Sequence, residues 1–152
     1  MEYTEQGSHI KQFYALAEEA VKNGDEPFGA LLVRDGKVVL TAVNTVTSDN
    51  DKTHHAETNL VAEAWQRFSP HELARCMLYT RTEPCAMCTG AIYAAGIPTI
   101  VFGCSAEALY ELVGSDLSIP SREILALGQR ETAVIGPLLE EEGLKIHRKY
   151  WT

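Results

Sequence analysis

The most informative part of the chain reads HAETNLVAEAWQRF at residues 55–68, CMLYTRT at residues 76–82 and PCAMC at residues 84–88. The first segment places apolar residues on one face of a helix, and the second is a short run typical of a buried strand. Pro84 is favourable at the start of a second helix, which we expect to span residues 85–95. A helix–strand–helix order of this kind places both helix starts at the same edge of a sheet.

The rest of the chain extends this pattern in both directions. Asp35-Gly36 is a hairpin turn signal between strands expected at residues 28–33 and 38–43, which should be antiparallel neighbours. Further periodicity predicts strands at 99–102 and 132–135 and helices at 9–22, 106–113, 122–127 and 138–149. Helices that alternate with strands after the hairpin predict a three-layer α/β/α sandwich in one domain, residues 1–152. Its five-stranded sheet should be mixed, with strands four and five parallel.

His55, Cys85 and Cys88 form a ligand set for Zn²⁺. One imidazole and two thiolates leave a fourth position open, as in catalytic rather than closed structural zinc sites. The two cysteines lie in the first turn of a helix, where the helix dipole favours thiolates. A closed site would need a further ligand, and His54, the nearest candidate, points about 100° away from His55 on a helix. A redox disulfide between the cysteines would leave the upstream His-x-Glu unexplained.

Glu57 follows His55 by two residues and is predicted to carry protons rather than to bind metal. Zinc lowers the pKa of a water molecule to about 7 in several enzymes, and a neighbouring carboxylate can then act as general base. The same carboxyl can pass that proton to a ring nitrogen of an amidine-like substrate and protonate the departing ammonia.

Composition limits the partners. The 152 residues carry a net charge of −8, which disfavours a large polyanion because phosphate contacts need clustered Lys and Arg. One basic cluster, formed by Lys145, His147, Arg148 and Lys149, keeps nucleic acid possible in principle, although basic residues in the last turn of a helix explain it as well. No apolar run reaches the ~20 residues that span a bilayer, and residues 1–6 are acidic and polar, so a cytoplasmic location is expected.

The pattern H-x-E…P-C-x-x-C is a signature of zinc nucleobase deaminases, and the chain resembles the cytidine deaminase superfamily. PFGA at residues 27–30 and EPCAMC at residues 83–88 resemble bacterial guanine deaminases and tRNA adenosine deaminases. GAIY at residues 90–93 looks most like guanine deaminase, whereas MCTGAI and GIP, at residues 87–92 and 96–98, also look like fungal cytosine deaminase.

The resemblance implies further site residues. Phe28 matches an aromatic residue that stacks on the base, and Asn44 matches an asparagine that hydrogen-bonds it. The backbone N–H of Ala56 matches a donor to the base carbonyl. Backbone amides near Glu83 and Cys85 would help to orient the reacting oxygen. In relatives the C-terminus often covers an active site, sometimes that of a neighbouring subunit, and Tyr150 and Trp151 could do so here or could instead anchor the last helix. Relatives are dimers or larger, so an oligomer is expected.

Hydrolytic deamination of a small free base, guanine or a related purine or triazine, is the favoured function. Cytosine deamination and deamination of the wobble adenosine in tRNA are enzyme alternatives, and the latter predicts tight, salt-sensitive tRNA binding. The alternative without an activity is a zinc-stabilised interaction domain, in which Glu57 would have no functional role.

Overall fold

The computed structural model describes residues 2–114 and 117–151, with the side chains of the first helix described at His9, Lys11, Gln12 and residues 14–22. In chain order the elements are α1 (Glu2–Lys22), β1 (Gly29–Arg34), β2 (Lys37–Val43), α2 (Ala56–Arg67), α3 (Pro70–Leu73), β3 (Cys76–Thr82), α4 (Ala86–Ala95), β4 (Thr99–Cys104), α5 (Ala106–Val113), α6 (Ser121–Leu125), β5 (Ala133–Ile135) and α7 (Glu140–Trp151). Each predicted helix and strand is present, with shifted ends.

The five strands form one mixed sheet in the order β2-β1-β3-β4-β5. β1 is antiparallel to both β2 and β3, whereas β3, β4 and β5 are parallel. Asp35 and Gly36, with φ of 52° and 76°, form the tight turn between β1 and β2, since positive φ at both central residues suits the twist of a hairpin. The predicted mixed sheet, with strands four and five parallel, is therefore confirmed.

Helices cover both faces of this sheet, as the three-layer prediction requires. On one face, α2 and α4 bury an extended apolar cluster that includes Leu60 and Ile92 and continues to Leu125 of α6. On the other face, a smaller cluster forms around Tyr14 of α1, with Ile146 of α7 packed against it. None of the helices in the described part of the chain is long and apolar enough to cross a membrane.

The connection after α2 differs from the prediction. No helix is predicted between α2 and β3, but Ser69-Pro70 begins the short helix α3 there. The Ser69 side chain accepts a hydrogen bond from the Glu72 N–H, and the Glu72 carboxylate accepts one from the Ser69 N–H. This reciprocal capping box stabilises the turn of helix, and the spacing Ser-x-x-Glu could have predicted it.

Candidate active site

Two helix starts bring the predicted metal ligands together. His55 is the N-cap residue of α2 and Cys85 is the N-cap residue of α4, and neither side chain makes a capping hydrogen bond. N-cap positions usually carry Ser, Thr, Asp or Asn, whose side chains bind the free N–H groups of the first turn. Here both helices lack that stabilisation, and the imidazole and the thiol point towards each other instead.

The three ligand atoms lie at distances that suit a tetrahedral zinc ion. His55 Nδ1 is 3.7 Å from Cys85 Sγ and 3.6 Å from Cys88 Sγ, and all three ligand atoms lie within 4.8 Å of one another. Zinc–nitrogen and zinc–sulfur bonds of about 2.1 and 2.3 Å at a tetrahedral angle separate nitrogen and sulfur by about 3.6 Å. The His/Cys/Cys cluster is thus compatible with zinc as its cofactor.

The two thiols share hydrogen bonds and titrate unequally. Hydrogen bonds from Cys88 and His55 lower the pKa of the Cys85 thiol to about 4. The same contact with Cys85, together with burial, raises the pKa of Cys88. The hydrogen bond to Cys85 also raises the pKa of His55. Since zinc binds deprotonated ligands, a proton must leave Cys88 when the metal binds.

Glu57 lies beside this cluster and is 4% exposed. Its Oε2 is 3.5 Å from Cys88 Sγ, and its Oε1 accepts a hydrogen bond from the Thr80 hydroxyl of β3. Burial raises the pKa of the Glu57 carboxyl, against the lowering effect of Thr80. A carboxyl with a raised pKa, held beside the three candidate zinc ligands, is suited to accept and return a proton.

The residues predicted to hold a base form a second group. The Asn44 N–H donates to the Phe28 carbonyl over 3.1 Å, which brings these two residues together. The Asn44 side chain accepts from the Val46 N–H through Oδ1 at 3.0 Å, and its buried Nδ2 has no partner within the described residues. That amide is therefore free to donate to a ligand. Ala56 is buried at the first position of α2, where the backbone N–H has no acceptor inside the helix.

Glu83 has a different environment from the one expected. Its backbone N–H donates to the Cys104 carbonyl over 2.7 Å, so this amide is already engaged. Its carboxylate accepts from the Ala106 N–H at 3.0 Å and from the Ser121 N–H and hydroxyl, each at 2.8 Å. The Glu83 carboxylate therefore connects the starts of α5 and α6 to the segment that leads into α4. The sequence gives no local signal for contacts this distant along the chain.

The C-terminal helix corrects one prediction and leaves another open. His147 was expected at the surface in a basic cluster, but it is fully buried, because Gly143, Leu144 and His147 share the inward face of α7. Of the cluster, Arg148 pairs with Glu141 at 3.1 Å. Trp151 packs edge to face on Tyr150 with 4.6 Å between ring centroids, and its role over a base stays a prediction.

Comparison with known families agrees with this geometry. The cytidine and deoxycytidylate deaminase zinc-binding region matches residues 4–104. A probable cytosine deaminase of Schizosaccharomyces pombe is 34% identical over 149 residues, which cover 95% of this chain and 91% of the relative. A guanine deaminase of Bacillus subtilis is 40% identical over 116 residues, or 76% of this chain and 74% of the relative.

One further relative and one solved structure are also similar to this chain. A tRNA-specific adenosine deaminase of Buchnera aphidicola is 42% identical over 86 residues, 57% of each protein. The solved structure of a guanine deaminase from Nitrosomonas europaea has a TM-score of 0.81 and 23% identity, covering 93% of this chain and 81% of that one. At this identity the structural likeness shows the fold alone. The resemblance predicted from residues 55–57 and 84–88 is confirmed.

Proposed function

The chain belongs to the cytidine and deoxycytidylate deaminase family, and from that premise we propose that it hydrolytically deaminates a small free nucleobase, with guanine favoured. The observation that carries the proposal is the meeting of three zinc-ligand atoms with the buried carboxyl of Glu57 at two neighbouring helix starts. The relatives are deaminases, enzymes that hydrolyse C–N bonds, and this chain carries the residues that such chemistry needs.

In this proposal His55, Cys85 and Cys88 hold the zinc ion. When bound, zinc supplies Lewis acidity that lowers the pKa of a water molecule. Glu57 accepts the proton released there, because its carboxyl is held in place by Thr80 and has a raised pKa. The same carboxyl then donates this proton to a ring nitrogen of the base. After hydroxyl addition to the substrate carbon, Glu57 takes the proton of that hydroxyl and donates it to the amino group, which leaves as ammonia while the carbonyl forms.

The base is held by residues around Phe28 and Asn44. The Phe28 ring provides an apolar surface on which a flat base can stack. The unpartnered Asn44 amide and the Ala56 N–H provide donors for the oxygen or ring nitrogen acceptors of the base. A buried donor that is satisfied only by the ligand favours binding of a base with an acceptor at that position.

Guanine is favoured by the Bacillus subtilis relative and by GAIY at residues 90–93. Cytosine is the second candidate, because the Schizosaccharomyces pombe relative aligns over nearly the whole chain. Deamination of tRNA is less favoured, because the net charge is −8 and the predicted basic cluster lacks His147 at its surface. A homodimer or larger oligomer and a cytoplasmic location stay predictions. The exposed Trp65 of α2 lies beside Ala91 and Ala94 of α4, and this apolar surface supports the proposed oligomer.

The test is an ammonia-release screen of zinc-loaded protein with guanine, guanosine, cytosine, cytidine, adenine, adenosine, ammeline and tRNA. We expect guanine to give the largest kcat/KM. A preference for cytosine would replace guanine as the substrate, and tight tRNA binding that weakens steeply with salt would support the tRNA alternative. No ammonia from any of these compounds, at full zinc occupancy, would overturn the proposed function.

A further inference from the structure

Helix α7 packs on the face of the sheet opposite α2 and α4, yet one of its side chains reaches the edge where the metal ligands lie. His147 is fully buried, and its Nε2 is 2.8 Å from the Thr82 hydroxyl. Strand side chains alternate between faces, so Thr82 belongs to the same face of β3 as Thr80, which binds Glu57. The His147 ring therefore contacts the strand end that leads directly into Pro84 and Cys85.

The same ring also contacts the aromatic residue proposed to stack on the base. The ring centroids of His147 and Phe28 are 5.3 Å apart with the ring planes tilted by 53°. Aromatic rings at this separation attract each other in tilted geometries. The His147 imidazole thus contacts two residues near the proposed base pocket: Phe28, just before β1, and Thr82, at the end of β3.

The turn of α7 that carries His147 is fixed in place from two sides. The buried Arg81 guanidinium donates to the Pro27 carbonyl, just before Phe28, and to the Gly143 carbonyl of α7. Gly143 allows α7 to approach β4 closely, because a Cβ at this position would lie 3.1 Å from the Cys104 Cβ. The Arg81 guanidinium therefore links the backbone just before Phe28 to the turn of α7 that precedes His147.

The second ring nitrogen of His147 argues against a purely structural role. Nδ1 is buried and has no hydrogen-bond partner among residues 2–114 and 117–151, and an unsatisfied buried polar atom destabilises the folded state. Burial and the nearby Arg81 charge lower the pKa of His147 to about 3, so the ring is neutral. An apolar ring would fill the space without this cost, but it would lose the bond to Thr82.

We propose that His147 is a positioning residue of the base pocket, which fixes the Phe28 ring by packing and the end of β3 through its hydrogen bond to Thr82. The proposal rests on the proposed function, since it assigns Phe28 to the base. Its effect falls on base binding more than on proton transfer, because Glu57 is held by Thr80 from another position on β3.

Three variants separate the two contacts. His147→Ala removes both, His147→Phe keeps an aromatic ring, and His147→Gln keeps a hydrogen-bonding group near Thr82. The exposed His71 of α3 gives the matched control His71→Ala. Each zinc-loaded protein is measured for zinc content, for the NMR signals of the Phe28 ring without a base, and for kcat and KM with guanine. The Phe28 signals are assigned with Phe28→Leu.

We expect His147→Ala to shift the Phe28 ring signals and to raise KM about tenfold, with kcat changed by less than about threefold. Zinc content should not change. His147→Phe should keep the Phe28 signals near those of the wild type and recover part of the KM, as should His147→Gln through Thr82. His71→Ala should match the wild type in every measurement.

Unchanged Phe28 signals in His147→Ala would overturn the proposal. It would also fail if KM stayed constant and activity fell only in step with thermal stability, since that is the result of a merely structural role. If His147→Ala does not fold, the Phe and Gln variants carry the same comparison. If the wild type releases ammonia from no base, the proposed function fails, while the ring signals still decide whether His147 holds Phe28.

Discussion

The two faces of the sheet are stabilised in different ways. Beneath α2 and α4 the apolar cluster is large and almost entirely aliphatic, with Leu32, Leu78 and Ile100 of the central strands packed on Leu60 and Ile92. Beneath α1 and α7 the apolar cluster is smaller, and polar groups add hydrogen bonds: Arg81 to Pro27 and Gly143, and Tyr14 to Leu139. From the same side, His147 of α7 reaches Thr82 at the end of β3.

The two faces also differ in how the sequence specifies them: one depends on local patterns and the other on contacts between distant residues. The metal ligands and Glu57 come from helices of the aliphatic face, where periodicity and short spacings specify the structure. The polar face is joined by contacts between residues 54 to 125 positions apart in the chain. In our proposal the aliphatic face therefore supplies the zinc ligands and Glu57, whereas the polar face positions the residues that receive the base.

The largest expected effect tests the chemistry of the aliphatic face. Glu57→Gln removes the group that accepts and returns the proton, so we expect kcat to fall by about 10²–10⁴-fold. Zinc content should stay unchanged because Glu57 is not a ligand in our proposal. The measurement is ammonia release from guanine together with metal analysis of the same sample.

Glu63→Gln is the matched control on the same helix. Glu63 pairs with Arg67 at 3.1 Å on the surface of α2, so its removal should leave kcat within about twofold of the wild type. Full activity of Glu57→Gln would contradict the assignment of Glu57. Loss of zinc from that variant would show that Glu57 acts on the metal instead.

The second prediction tests the polar face. Arg81 is fully buried, and its replacement in Arg81→Met leaves the carbonyls of Pro27 and Gly143 without their donor. We expect Arg81→Met to lower the free energy of unfolding by about 2–4 kcal/mol. Leu60→Ala on the aliphatic face should lower it by a similar amount, about 2–5 kcal/mol. Denaturant unfolding at a fixed zinc concentration measures both.

Arg67→Met is the control for Arg81→Met, because Arg67 is exposed and should cost less than about 0.5 kcal/mol. Apolar residues can replace buried charges without loss in some proteins. If Arg81→Met were as stable as the wild type, the proposed dependence of this face on buried hydrogen bonds would be wrong.

The sequence predicted the layers, the strand directions and the group of His55, Glu57, Cys85 and Cys88, because each depends on local patterns of a few residues. It did not predict the environment of Glu83 or the burial of His147. Charge alone suggested a surface position for His147, whereas its spacing from Gly143 and Leu144 already indicated the inward face. The partners of Glu83, at Ala106 and Ser121, follow from tertiary packing and leave no pattern in the sequence.

The smallest expected effect concerns the protons of the zinc ligands. In the metal-free site Cys85, with a pKa of about 4, is already a thiolate near neutral pH, whereas the raised pKa of Cys88 keeps its thiol protonated. Zinc must displace that proton, so its affinity should fall about tenfold for each unit by which the pH decreases. Below the raised pKa of His55 a second proton is displaced, and the fall should steepen towards about 100-fold per unit.

Competition with a chelator of known pH dependence, between pH 5.5 and 8.5, measures this slope. The sign follows from the ligand protons: acid favours the metal-free site because only that state binds them. His71→Ala again serves as control, since His71 lies on α3 and should leave the slope unchanged. A zinc affinity that did not vary with pH would contradict the protonated Cys88. It would mean that the aliphatic face holds both thiols as thiolates before the metal binds, so that burial does not oppose their ionisation.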